Sequence, residues 1–238
     1  MNDRARFDDL SGSYEKLLRD PIRDRFTGQE KAFFHLRKRD VILDYFRRRG
    51  ADTTRLAYLD AGCGKGELVT ALQPHFRHIA GCDISAEMMR SIQGIETRVQ
   101  DDPLKIPFPD ASFDFVTAVC VYHHVPPADR AALTKEMARA LKPGGVFAII
   151  EHNPINPVTR LIVSRTPVDA DAILLPAGET RGLLRSAGLA IAEERYFLYF
   201  PEKIYRPLGW LENWLKRVPL GGQYVVFGHR AGLNGPAC

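Results

Sequence analysis

The sequence predicts an α/β fold, a parallel sheet with helices on both faces behind an N-terminal helical cover. Three observations predict it. From residue 56 onward, short apolar runs alternate with helical patterns. A glycine turn, Gly62-Cys63-Gly64-Lys65-Gly66, separates the first apolar run from the first helical pattern. Residues 1–50 read as helical, with no strand-like run.

In the N-terminal part, Phe33, Leu36, Leu43 and Phe46 share one helical face. Lys31, Arg37, Lys38, Arg47, Arg48 and Arg49 fall largely elsewhere, and Gly50 stops the pattern. The candidate strands that follow are Leu56–Asp60, Ile79–Asp83, Thr97–Gln100, Phe113–Cys120 and Val146–Ile150. Helix candidates lie between them. Residues 65–73 follow the glycine turn. Residues 85–93 open with Ser85 as N-cap and with Glu87 in the first turn, where a carboxylate meets the positive end of the helix. Residues 128–141 place Leu133, Met137, Ala140 and Leu141 on one face, and Lys142-Pro143-Gly144-Gly145 ends that helix. A polar, proline-containing connection spans 151–178. A helix near 179–187, a strand near 190–199, a helical segment at 203–217 and a final strand Gln223–Phe227 complete the pattern. No repeat, low-complexity run or linker divides it. One domain over 1–238 is expected, divided into a cover (1–50), a core (51–150) and a C-terminal half (151–238) that completes the sheet.

Composition removes several function classes. With 45% hydrophobic and 26% charged residues, the chain is neither disordered nor fibrous. Its 33 basic and 29 acidic side chains leave +4, which is no nucleic-acid footprint. Cys63, Cys82, Cys120 and Cys238 form no C-x-x-C pair and no zinc-finger spacing. Reduced thiols and a cytoplasmic location are therefore expected. The opening MNDRARFDDLSGSYEKLL is charged throughout and does not read as a secretory signal. No stretch approaches 18 uninterrupted apolar residues, so no transmembrane helix is expected.

The chemistry concentrates around the glycine turn. Glycines there let the backbone turn sharply and let a ligand approach, while the following helix N-terminus presents unpaired N–H groups. The spacing is G-x-G-x-G, with Glu67 where a dinucleotide fingerprint has its third glycine; a phosphate-cradling G-x-x-x-x-G-K-[ST] is absent. Asp83 stands at the end of the second strand, where a carboxylate can accept both hydroxyls of a ribose. The pattern fits a nucleoside without requiring a pyrophosphate.

Asp60-Ala61-Gly62-Cys63-Gly64-Lys65-Gly66 resembles the first motif of class I S-adenosylmethionine-dependent methyltransferases, of the small-molecule type. The resemblance continues in order. Gly81-Cys82-Asp83-Ile84-Ser85 resembles the acidic ribose motif, with Met88 as the adenine-facing residue after it. Asp101-Asp102-Pro103-Leu104-Lys105-Ile106-Pro107-Phe108 resembles the adenine motif of the third strand, with Asp102 in the acidic place. Ser112-Phe113-Asp114-Phe115-Val116 through Tyr122-His123-His124-Val125 resembles the fourth strand and its exit, and Leu141-Lys142-Pro143-Gly144-Gly145 the turn before the fifth. The resemblance covers residues 56–150. It implies a Rossmann-like, doubly wound sheet of seven strands whose last strand is antiparallel, with S-adenosylmethionine at the carboxyl ends of the strands and S-adenosylhomocysteine as product. The cofactor residues it implies are Asp60, Ala61, Gly62, Gly64, Gly66, Asp83, Ile84, Met88, Asp102, Pro103 and Leu104. Cys120 and Val121 are implied beside the methionine part.

The acceptor side reads less sharply. His124, His152 and Glu151 at the exits of strands four and five are candidate bases for a substrate hydroxyl, although a His-His pair at a strand exit also serves to hold a loop. Tyr14, Tyr122, His123, Asn153, Asn156 and Arg160 are candidate substrate or lid residues. No metal is expected, because strand four ends without an Asp or Glu. The 203–217 segment is basic and amphipathic, suited to packing on its own domain, a substrate cap, a homodimer partner or a membrane surface. The expected activity is methyl transfer to a small-molecule hydroxyl oxygen, with positioning as the main catalytic effect. Methylation of a carbon on a quinone-like or aromatic ring, and an inactive cofactor-binding module, are the alternatives. No nucleic-acid partner is expected.

Overall fold

The computed structural model describes Asp8, Gly12 and residues 32–232. In chain order the elements are α1 (Ala32–Arg47), β1 (Ala57–Ala61), α2 (Glu67–Leu72), β2 (His78–Asp83), α3 (Ala86–Met89), β3 (Glu96–Val99), β4 (Phe113–Val119), α4 (Arg130–Ala140), β5 (Leu141–His152), α5 (Pro157–Arg165), α6 (Ala177–Ser186), β6 (Leu189–Phe197), α7 (Glu202–Leu208), α8 (Glu212–Leu215) and β7 (Gln223–Arg230). The strands form one sheet in the order β3-β2-β1-β4-β5-β7-β6. All pairs are parallel except those of β7, which runs antiparallel to both β5 and β6. This is the seven-stranded, doubly wound sheet that the motif order implies. Strand order reverses between β1 and β4, which opens a crevice at their carboxyl ends.

Strand periodicity builds two cores. Leu59, Val116, Phe147 and Val226 face α4 and α6, meeting Leu133, Met137 and Leu184. Their chain neighbours Tyr58, Phe115, Ala148 and Phe227 face α1 and α2, meeting Val41, Ile42, Tyr45, Phe46, Leu68 and Leu72. Aromatic contacts fix α1 on the sheet. Tyr45 stacks on Phe227 with centroids 3.9 Å apart, and Phe46 meets Phe115 edge-on at 4.9 Å.

Four expectations need correction. The inner face of α1 is Phe33, Arg37, Lys38, Val41, Ile42, Tyr45 and Phe46, with Leu36 and Leu43 only half-buried. Arg37 and Lys38 turn inward because each has a distant partner. The Arg37 guanidinium lies 2.5 Å from Glu212 and over the Tyr205 ring at 4.1 Å, and Lys38 Nζ comes within 3.7 Å of Cys120 Sγ. Second, Lys142–Gly145 sits inside the start of β5. Leu141 pairs with Phe113 and Val146 with Phe115, and Gly144, at φ +81°, absorbs the extra chain between them. Third, the 151–178 connection contains α5. Asn156 Oδ1 accepts the Thr159 amide at 3.0 Å as N-cap, and Pro157 takes the first helical position, where its missing N–H costs nothing. Fourth, 203–217 is two short helices parted by a 3-10 turn at Gly209–Leu211, just after Pro207. Trp210 and Trp214 on it are 62% and 80% exposed, so the apolar stripe is not buried against its own sheet. No helix among the described residues is long and apolar enough to cross a membrane.

Candidate functional site

A cavity of about 700 Å³ opens at the carboxyl ends of the central strands, within the size range of small-molecule sites. The turn after β1 and the exits of β2, β4 and β5 line it, together with α1, α5 and the start of β7.

The β1–α2 turn is held from beneath, since the Gly62 and Cys63 amides both donate to Cys82 O, at 2.7 and 3.0 Å. Gly62 and Gly66 sit at φ +74° and +79°. A Cβ at Gly62 would lie 2.4 Å from the Val121 side chain, and one at Gly66 would lie 2.6 Å from Ile92. Only glycine meets both demands at once. Ala61, Gly62 and Gly64 line the cavity, whereas Gly66 lies behind it. Asp83 Oδ2 accepts the Gly64 amide at 2.8 Å and Oδ1 accepts the Ser85 amide at 2.9 Å, so the carboxylate is fixed with its edge in the cavity. Burial raises its pKa, while these amides oppose the shift. Ile84, Met88, Asp102, Pro103 and Leu104 complete this wall, and Asp102 Oδ1 accepts the Leu104 amide at 2.8 Å.

Deeper in the cavity, Asp60 is 2% exposed. Its Oδ1 accepts the Thr117 hydroxyl at 2.6 Å, and Thr117 Oγ1 lies 2.8 Å from Tyr58 Oη. Burial pushes the Asp60 carboxyl up to about 7, against the Thr117 hydrogen bond and the nearby Lys38 charge. Cys120 follows β4 directly, at φ +57°. Burial raises its thiol pKa, but Lys38 and His152 outweigh that and bring it down to about 7. Gln223 Nε2 donates to Cys120 Sγ at 3.4 Å. Val121 lines the same wall. Lys38 and Gln223 come from elements that carry no motif, and Thr117 sits in the fourth strand between its quoted residues.

On the far wall the β4 and β5 exits meet. His123, 1% exposed, shares a 2.6 Å hydrogen bond between Nδ1 and Glu151 Oε2, and Glu151 Oε1 accepts the Tyr122 amide at 2.7 Å. Burial alone would lower the His123 pKa, but Glu151 and Asp169 raise it well above the ordinary value. The Nε2 atoms of His123 and His124 lie 3.4 and 3.6 Å from Asp169 Oδ1. The His152 ring centroid is 5.3 Å from that of His123. His123, His124, His152, Asn156 and Asp169 all line the cavity.

Several expected residues do not line it. Glu151 is fully buried behind His123 and holds that ring, so it is not placed to receive a substrate proton. Tyr122 points into the core, with Oη 2.9 Å from Thr134. Asn153 Nδ2 donates to Pro219 O and Gly221 O at 3.0 and 2.8 Å and pins the approach to β7. Arg160 is on the exposed side of α5. Tyr14 lies outside the described residues.

A methyltransferase-domain family profile matches residues 59–149. The chain is 30% identical to the ubiquinone biosynthesis O-methyltransferase of Xylella fastidiosa, over 68% of this chain and 71% of that protein. The chain belongs to the class I S-adenosylmethionine-dependent methyltransferases. The methyltransferase is also 25% identical to the 2-methyl-6-phytyl-1,4-hydroquinone methyltransferase of Synechocystis, over 86% of this chain and 76% of that one. Its fold matches that of magnesium protoporphyrin IX methyltransferase from Synechocystis with bound S-adenosylhomocysteine, at a TM-score of 0.65 and 18% identity, over 96% and 98% of the two chains.

The cofactor of this methyltransferase is S-adenosylmethionine, and the residues present fit it. Two carboxylates, the half-buried Asp83 and the buried Asp60, line one continuous cavity, with the apolar Met88 and Leu104 on the same wall as Asp83. Hydroxyl acceptors, an apolar slot and an acidic end are what a nucleoside joined to an amino acid asks for.

Proposed function

We propose that the enzyme methylates a hydroxyl oxygen on a small acceptor with an apolar body. The observation that supports this is the far wall of the cavity. His124 and His152 line it from two strand exits, and Phe33, Phe34, Ile162 and Val163 give the same cavity apolar lining. Two relatives are named for hydroquinone and ubiquinone chemistry, which agrees with a hydroxylated ring as acceptor.

Bound S-adenosylmethionine supplies a methyl group on a sulfonium, which an aligned nucleophile displaces in line. In this reading Asp83 accepts the ribose hydroxyls. Ile84, Met88, Asp102, Pro103 and Leu104 frame the adenine, and Asp60 faces the ammonium. Ala61, Gly62 and Gly64 follow the backbone of the turn, while Cys120 and Val121 flank the methionine arm. Gly66 is a positioning residue that keeps the turn shut against Ile92. The acceptor hydroxyl lies between the β4 and β5 exits and gives its proton to His124 or His152. Glu151 is a positioning residue for His123, and Asn153 and Asn156 hold the loop that borders the acceptor. Alignment accounts for most of the rate, and the base matters in proportion to the acceptor's own pKa. Residues from α1 to β7 reach one cavity, so we take the chain to work as one catalytic unit.

The test is a series of phenolic acceptors of falling pKa, assayed with the wild type, His124→Ala and His152→Ala. Loss of the base is expected to cost about 10²-fold or more for weakly acidic phenols and little for strongly acidic ones. A loss independent of acceptor pKa in both variants would remove the proton-acceptor role.

A further inference from the structure

We propose that His123, His124 and Asp169 form a binding site for one divalent transition-metal ion at the acceptor end of the cavity. Each offers one ligand atom, and all three atoms lie within 4.8 Å of one another. Around Asp169 Oδ1 the two imidazole Nε2 atoms stand at 3.4 and 3.6 Å. Ligands bonded at 2.0–2.1 Å in a tetrahedron are about 3.3 Å apart, so both imidazole–carboxylate spacings already match a shared ion.

The support behind the cluster is what distinguishes it from a chance meeting of polar groups. His123 Nδ1 faces the fully buried Glu151 carboxylate at 2.6 Å, and the other Glu151 oxygen is fixed by the Tyr122 amide at 2.7 Å. A carboxylate on the far nitrogen orients a ligating imidazole and raises its basicity, aiming Nε2 at the ion. Here Nε2 faces Asp169 Oδ1 at 3.4 Å. Two imidazoles and one carboxylate on one side, with cavity on the other, form a three-ligand open site. That donor set suits zinc or iron(II), not magnesium, which prefers oxygen ligands. Asp169 explains why the motifs did not show the site. It lies in the 3-10 turn Pro167–Asp169 after α5, far in sequence from the histidines it meets.

An ion at this place polarises an acceptor hydroxyl, favours loss of its proton and leaves His152 to receive it. That role rests on the oxygen-methylation reading above; the binding of the ion does not.

The experiment is equilibrium dialysis and absorption titration of the full chain with cobalt(II), alongside calorimetric titration of S-adenosylhomocysteine. One equivalent of cobalt is expected, with visible bands of a four- or five-coordinate nitrogen–oxygen site. His124→Ala and Asp169→Asn are each expected to weaken uptake at least tenfold while S-adenosylhomocysteine still binds, which shows that the variants are folded. In the unaltered protein, zinc is expected to raise the unfolding temperature and a chelator to reverse the rise. Three results would overturn the proposal: no saturable cobalt uptake, uptake unchanged in both variants, or a sulfur charge-transfer band lost in Cys120→Ala. The first leaves His123 as a proton-bearing bridge between Glu151 and Asp169. Cobalt uptake as expected with no methyl transfer to any hydroxyl would defeat the acceptor reading and leave the metal site standing.

Discussion

Replacing Asp60 by Asn should flatten the pH dependence of stability. The Asp60 carboxyl is 2% exposed and receives a hydrogen bond from Thr117 at 2.6 Å. Burial, the largest influence, carries it from 3.8 to about 7 despite that bond and the Lys38 charge. A carboxyl whose folded pKa lies above its unfolded one binds more protons when folded. Its ionisation therefore opposes folding, and stability falls as pH rises from about 4 to about 7. At 1.36 kcal/mol per pH unit the full effect is about 4 kcal/mol, present above pH 7 and absent below pH 4. Asn keeps an oxygen for Thr117 and carries no charge at any pH. Urea unfolding of both proteins from pH 4.5 to 8 should show the wild type losing about 2–4 kcal/mol relative to Asp60→Asn across that range. Parallel profiles would show that Asp60 is ionised throughout and that the burial argument fails.

The remaining predictions concern the rest of the cavity. Asp83→Ala should weaken S-adenosylhomocysteine binding about 10- to 100-fold by calorimetry, since hydrogen bonds to a charged group are worth about 1.5–3 kcal/mol; unchanged affinity would remove the ribose assignment. In a Cys238→Ser background, iodoacetamide should label Cys120 before Cys63 and Cys82, whose thiols burial pushes above the ordinary range. Peptide mapping should place the rise of that labelling near pH 7, and S-adenosylhomocysteine should suppress it. Glu151→Ala should cost about 3–5 kcal/mol in chemical denaturation, because it strips a buried imidazole and the Tyr122 amide of their shared partner; a cost under about 1 kcal/mol would mean that water replaces the carboxylate.

The cofactor half of the site was legible because it is local. Gly62, Gly64, Asp83 and Met88 sit on two consecutive strand–turn–helix units, and the turn itself demands glycine at Gly62 whatever is bound. The strand order followed from the same alternation. The acceptor half is assembled from places that periodicity cannot connect. Lys38 and Arg37 read as solvent-facing charges on α1 until Cys120 and Glu212 are seen opposite them. Tyr122 and Asn153 have residue types that suit substrate contact, yet Thr134 and the carbonyls of Pro219 and Gly221 use up their polar atoms. Glu151 has the chemistry of a base and the burial of a support. Helix α5 hides inside the polar, proline-containing stretch 151–178, because polar residues and prolines signal a loop, although an Asn N-cap followed by Pro is also how a helix starts.

The central claim is that this cavity delivers a methyl group to oxygen. Its most direct measurement is carbon-13 NMR of the products formed from S-adenosylmethionine labelled in its methyl group and a panel of hydroxylated aromatic acceptors. The account predicts label in a methoxy resonance, formed only with enzyme and abolished when the acceptor hydroxyl is blocked. Label in a ring-bound methyl carbon, with the hydroxyl unchanged, would contradict it.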